Sequence, residues 1–179
     1  MIREGMEDVK KILGIALPLI LICVLFGAVL ALVHGVTEPR IKAVEAAKIN
    51  ASLSYVFPGG EFAPKDGYYV VTVGGVEVGY AFIAEGQGFE SVIRTMVGMK
   101  KDGTIERIYV ISQRETPGLG TRIAEPEFTA QFTGHRLEEL RLRRDGGVID
   151  GITGATISSR AITDSVREQG LEVLHESVY

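Results

Sequence analysis

The hydrophobic pattern divides the chain in two. Residues 12–33 contain no Asp, Glu, Lys or Arg. As a helix these 22 residues would reach about 33 Å, enough to cross a hydrocarbon core. A cleavable signal peptide has a shorter apolar stretch, about 7–15 residues. The Ala28 and Ala31 pair is a weak cleavage site, and Ile22 stands where a lipoprotein would want a small residue before Cys23. The pattern predicts a retained transmembrane helix over 12–33 after a short tail, 1–11. Pro18 inside the span is tolerable in a membrane helix. Arg3, Lys10 and Lys11 precede the span and Arg40, Lys42 and Lys48 follow it, so the count of cations leaves its orientation tied.

Beyond the span the period changes. Thr37-Glu38-Pro39 reads as a helix start. Ala46, Ile49, Leu53 and Val56 share one helical face, and Pro58-Gly59-Gly60 ends the segment. A juxtamembrane helix over 34–57 is expected, then a domain over 58–179. Residues 68–73 and 76–84 are β-rich runs around Gly74-Gly75, and 92–99 and 104–112 flank Asp102-Gly103. Each pair reads as a hairpin. A short helix is expected over 125–132, a charged turn at Arg141–Gly147, and a last helix over 156–175 with Ile157, Ala161, Ile162, Val166 and Val173 at helical spacing. The fold class is α+β: a transmembrane helix, then an antiparallel sheet with flanking helices.

Charge and composition narrow the chemistry. The 179 residues carry a formal net charge of −4 with no basic stripe, which does not suggest nucleic-acid binding. One cysteine excludes a disulfide, an iron–sulfur cysteine set or a Cys-x-x-Cys-His haem site within the chain. His34, His135 and His175 have no metal-site spacing. Gly86-Gln87-Gly88 lacks the third glycine and the βαβ context of a dinucleotide fingerprint. Any redox chemistry must therefore come from an organic cofactor or from partners. The span itself carries no Asp, Glu, Lys, Arg or His and offers no ion path.

Two motifs remain. Asp150-Gly151-Ile152-Thr153-Gly154-Ala155-Thr156 precedes the last helix. Its glycines allow a tight turn, and Thr153 could cap a helix start whose free amides favour phosphate. A hydroxyl at Thr156 would be well placed to hold an esterified phosphate. Upstream, Glu115-Thr116-Pro117-Gly118-Leu119-Gly120 follows a strand-like run and reads as a tight turn.

Together, with Phe57-Pro58 and the Gly86-Gln87-Gly88-Phe89 loop, these motifs resemble an FMN-binding family. That family includes the G subunit of the Rnf electron-transport complex and the C subunit of the sodium-translocating NADH:quinone reductase. The resemblance runs from about Val36 to the end, and length favours the Rnf protein. It implies FMN bound covalently through a phosphoester to Thr156, with Thr153, Gly154 and Ala155 around it. Asp150 would assist a separate flavin transferase. Glu115, Thr116, Leu119 and Gly120 become flavin contacts, while Gln113 stands where the family often has His. The implied role is electron transfer between neighbouring subunits of an ion-translocating oxidoreductase. The implied place is the inner membrane, single-pass, with the domain extracytoplasmic. No metal site is implied. Alternative readings are a C-type component of the quinone reductase, a membrane-tethered ligand-binding module without redox activity, and a stand-alone flavin reductase.

Overall fold

The computed structural model describes the backbone of residues 2–178 and the side chains of residues 14–177. The side chains of the expected tail, 1–11, lie outside the described residues. The chain forms two compact units, divided after Ala46.

One helix, α1 (Ile2–Val56), runs through both the expected span and the expected juxtamembrane helix. The helix start read at Thr37-Glu38-Pro39 is not a start. The Thr37 hydroxyl donates back to the carbonyl of Val33, one turn earlier, instead of capping a turn ahead. Pro39 sits inside the helix. Glu38 accepts from Lys42 at 2.7 Å along the same face. Gly14–Val56 is long and apolar enough to cross a membrane. Its large apolar side chains from Ile15 to Val33 are exposed, the pattern expected where lipid rather than protein is the solvent.

The second unit, Ala47–Tyr179, is a five-stranded antiparallel meander in the order β1-β2-β3-β4-β5: β1 (Glu61–Pro64), β2 (Tyr68–Val73), β3 (Val76–Gln87), β4 (Val92–Lys100) and β5 (Ile105–Ser112). Both hairpins form where the sequence places them. Gly74 and Gly75 take φ of 59° and 80°, the left-handed pair that matches strand twist in a two-residue turn. Strand β1 was not foreseen. It is a four-residue edge strand ending in proline, which edge positions admit.

The sheet is buried on both faces, so its central strands are apolar on both sides. Tyr80, Phe82 and Ala84 of β3, with Ile93, Val97 and Met99 of β4, join Ile162, Val166 and Val173 in the main core. Those last three lie on α3 (Thr156–Val178), the C-terminal helix. Ala81 and Met96 point the other way, into a second cluster with Leu53, Val56 and Phe57 from the end of α1 and the residue after it. Gly98 permits that contact, since a Cβ there would lie 2.9 Å from the Val56 side chain. Between β5 and α3 the chain makes short turns around α2 (Pro126–Thr129), whose Phe128 stacks edge-on against Phe132 at 5.6 Å.

Candidate functional site

Three segments converge at the N-terminal end of α3: residues 88–91 between β3 and β4, residues 113–120 after β5, and residues 150–155 before the helix. In the last, Ala155 N–H donates to the Ile152 carbonyl at 3.0 Å. Gly154 at φ 82° turns the chain in the left-handed region. Ala155 then accepts the first helical bond, from Ser159 N–H, also at 3.0 Å. The cap is therefore Ala155, two residues beyond the expected Thr153. The Gly154 turn separates Thr153 from the helix and leaves it exposed. Ser159 supplies the missing side-chain bonds from inside the helix. Its hydroxyl accepts from Ile152 N–H at 3.0 Å and donates to the Ala155 carbonyl at 2.9 Å.

Thr156 is the first residue of α3 and is half-buried. It lines a cleft of about 410 Å³ together with Phe89, Thr116, Leu119, Gly120, Gly154, Ala155, Ile157 and Ser158. The volume lies within the roughly 300–1,000 Å³ of small-molecule sites. Phe89, Leu119 and Ile157 are 65%, 45% and 54% exposed, so the cleft offers an unusually bare apolar lining. The first three amides of α3 have no carbonyl one turn earlier to bond, which makes that end a phosphate-favouring one.

Leu119 lies against Gly154, where a Cβ would approach its Cδ2 to 3.2 Å. The turn that presents Leu119 is closed by Leu119 N–H and Thr121 N–H on the Thr116 carbonyl, both at 3.2 Å. The Thr116 hydroxyl donates to Glu90 at 2.7 Å and ties this turn to the 88–91 loop. Gln113, at the place of the family's histidine, accepts from Glu115 N–H at 2.7 Å.

Glu115 takes no part in the lining. Its side chain is buried and turned inward, with Oε1 and Oε2 accepting from the 88–91 loop and from Ser158. Burial by itself would raise its pKa. The Ser158 hydroxyl and the amides of Phe89, Ser91 and Glu90 outweigh burial and hold the group below the ordinary glutamate value.

Asp150 lies apart from Thr156, in a neighbouring cleft of about 270 Å³ that Thr153 also lines with Arg122, Glu125, Glu127 and Gln131. Its exposed carboxylate pairs with Arg143 Nε at 2.7 Å. Its N–H donates to Gln131 Oε1 at 2.7 Å. So Thr116, Leu119, Gly120, Gly154, Ala155 and Thr156 share one cleft, Thr153 and Asp150 share the next, and Glu115 stands behind the first. Phe89 was named from sequence only within its loop and Ile157 only within the helical spacing of the last helix, and neither they nor Ser158 were named as site residues. Sequence spacing groups Ile157 with the apolar positions of the helix, and only the structure shows it exposed.

The segment that builds this cleft, residues 88–169, matches the family model of the FMN-binding domain. The chain therefore carries an FMN-binding domain after a helix long and apolar enough to cross a membrane. Over most of its length it is 31% identical, across 176 residues, to the G subunit of the ion-translocating oxidoreductase complex of Methanosarcina acetivorans, covering 90% of this chain and 94% of that protein. It is 28% identical over 170 residues to the G subunit of the proton-translocating ferredoxin:NAD(+) oxidoreductase complex of Clostridium ljungdahlii, covering 90% and 91%. The chain belongs to the family of G subunits of ion-translocating oxidoreductase complexes. Its fold is shared with the crystal structure of NqrC from Shewanella oneidensis, at TM-score 0.51 and 20% identity over 66% of this chain and 70% of that one.

Proposed function

We propose that this protein is an electron-transfer subunit of a membrane-bound, ion-translocating oxidoreductase complex of the Rnf type, and that it carries FMN on Thr156 through a phosphoester. The observation that carries the reading is the position of Thr156. Thr156 is the first residue of α3 and lines a small cleft with apolar walls. The residues present fit the group: Phe89, Leu119 and Ile157 offer apolar walls to a planar ring, and Thr156 lies among them. When bound, FMN would supply the one- and two-electron chemistry that no side chain here can.

The chain's own residues hold and orient. Thr156 offers the single attachment oxygen. The free amides at the start of α3 favour the phosphate's charge. Asp150 and Thr153 line the adjoining cleft, and a separate flavin transferase would engage the chain there. Helix α1 anchors the chain by one pass through the inner membrane, with the domain extracytoplasmic and beside the other subunits of the complex.

Intact-mass measurement of the full chain from its native host tests the reading. The parent protein should carry FMN less one water, and Thr156→Ala should lose the whole adduct while keeping its circular dichroism. An adduct that persists in Thr156→Ala would refute the linkage. A colourless, unmodified parent would refute the redox role and leave a membrane-tethered module.

A further inference from the structure

Glu115 carries a buried carboxylate at 3% exposure that the function above does not use. Its carboxylate bridges two walls of the cleft, both oxygens accepting from one and Oε2 also from the other. Oε1 accepts from Glu90 N–H at 3.1 Å, Ser91 N–H at 3.0 Å and the Ser91 hydroxyl at 3.2 Å. Oε2 accepts from Phe89 N–H at 2.9 Å and from the Ser158 hydroxyl at 2.5 Å. The first group of donors belongs to the loop that presents Phe89. The last belongs to the first turn of α3, two residues past Thr156. Ser91 extends the arrangement, since its hydroxyl also accepts from Arg114 N–H at 2.8 Å.

The surroundings are fitted to this carboxylate. A Cβ at position 88 would lie 2.5 Å from Oε1, and one at position 120 would lie 2.6 Å from the Glu115 Cβ. Only glycine lets the two loops close around the side chain at these places. Converging donors also dictate the residue type. A carboxylate is acceptor-only, with about four lone-pair sites, whereas the isosteric amide would turn N–H groups against N–H and O–H donors.

The geometry points to Glu115 as a positioning residue for the flavin: its carboxylate fixes the spacing between Phe89 and the Thr156 turn, and so sets how the ring is gripped without touching it. This rests on the functional reading above, because it gives the latch something to position. Four of these donors, the Ser158 hydroxyl and the amides of Phe89, Ser91 and Glu90, also hold the carboxyl below its ordinary value, so the latch is closed at neutral pH.

Hydrogen exchange on the full chain, combined with flavin spectroscopy, tests the assignment. In the parent, the amides of Phe89, Glu90 and Ser91 should be protected although they lie in a loop. In Glu115→Gln they should exchange at least about tenfold faster, with β4 unchanged. The attached flavin of Glu115→Gln should show an altered visible circular dichroism and fluorescence yield, at an adduct mass identical to the parent's. Ser158→Ala, which removes one donor and is less prone to misfold, should shift the same flavin signals while leaving the 89–91 amides protected. Unchanged exchange in Glu115→Gln would overturn the latch. Faster exchange with an unaltered flavin spectrum would reduce Glu115 to a structural role and overturn the positioning. If Glu115→Gln does not fold, an unaltered flavin spectrum in Ser158→Ala overturns it. A parent chain without adduct would overturn the functional reading, and the positioning with it; the exchange result separates that failure from the absence of a latch.

Discussion

At the carboxylate of Glu115, burial and hydrogen bonding oppose each other, and hydrogen bonding prevails. The sign of the consequence follows from linkage. A carboxyl held below its ordinary value in the folded chain adds stability that is complete above the unfolded value of 4.5 and is lost as pH falls through the depressed folded value. Replacing Glu115 by Gln removes this contribution and strands buried donors, at a cost of about 2–4 kcal/mol near neutrality. Thermal melts of the parent and the variant from pH 7 downward should therefore converge in acid below pH 4.5. Melts that stay parallel would mean that the charge is not what stabilises the site. The sequence made Glu115 legible as important but not as inward-facing, because nothing in a hexapeptide states which side of a turn its donors occupy. Thr156, Thr116 and Leu119 were legible through their motifs. The misplaced cap at Thr153 has a local cause, since a left-handed Gly154 costs nothing in sequence terms yet shifts the helix start by two residues.

Among the elements, the two hairpins and the last helix were readable because glycine-bearing turns and clear periodicity mark them. Strand β1 was not, since four residues ending in proline carry too little pattern and only one neighbour. The start assigned to Thr37 failed for a related reason: capping residues mark a start only if the preceding turn is not already helical. How α3 meets the sheet depends on a contact hidden from sequence. A Cβ at Gly86 of β3 would lie 2.3 Å from the Ala161 carbonyl oxygen, a backbone atom in mid-helix. Gly86 has no left-handed φ to lose, so the cost of Gly86→Ala is purely steric, about 1–3 kcal/mol or somewhat more. Because α3 carries Thr156 at its tip, the same substitution should lower the yield of FMN adduct in a host that contains the transferase. A melt within error of the parent would show that helix and strand separate freely, and that Gly86 does not set their distance.

At the level of the molecule, the residues that fold together do not begin where the sequence suggested a domain boundary, at 58. The compact unit begins at Ala47, and the second core cluster needs Leu53, Val56 and Phe57 to cover Val71, Ala81 and Met96. Tyr55 adds a ring contact with Tyr109 of β5 at 5.3 Å, and its carbonyl accepts from Arg107 at 3.4 Å. Burying each large apolar side chain contributes about 1.5–3 kcal/mol. Losing Leu53, Val56 and Phe57 together is then comparable with the whole stability of a domain, about 5–15 kcal/mol. A fragment of residues 47–179 should be soluble and melt cooperatively, because every buried side chain of the chain's described part lies within it. A fragment of residues 58–179 should exchange its β4 amides rapidly and aggregate, since its sheet would be bare on one face. Circular dichroism melts and size-exclusion profiles of the two compare them directly. Equal melting temperatures would mean that the end of α1 covers the sheet without stabilising it, and that the folded unit starts after the helix.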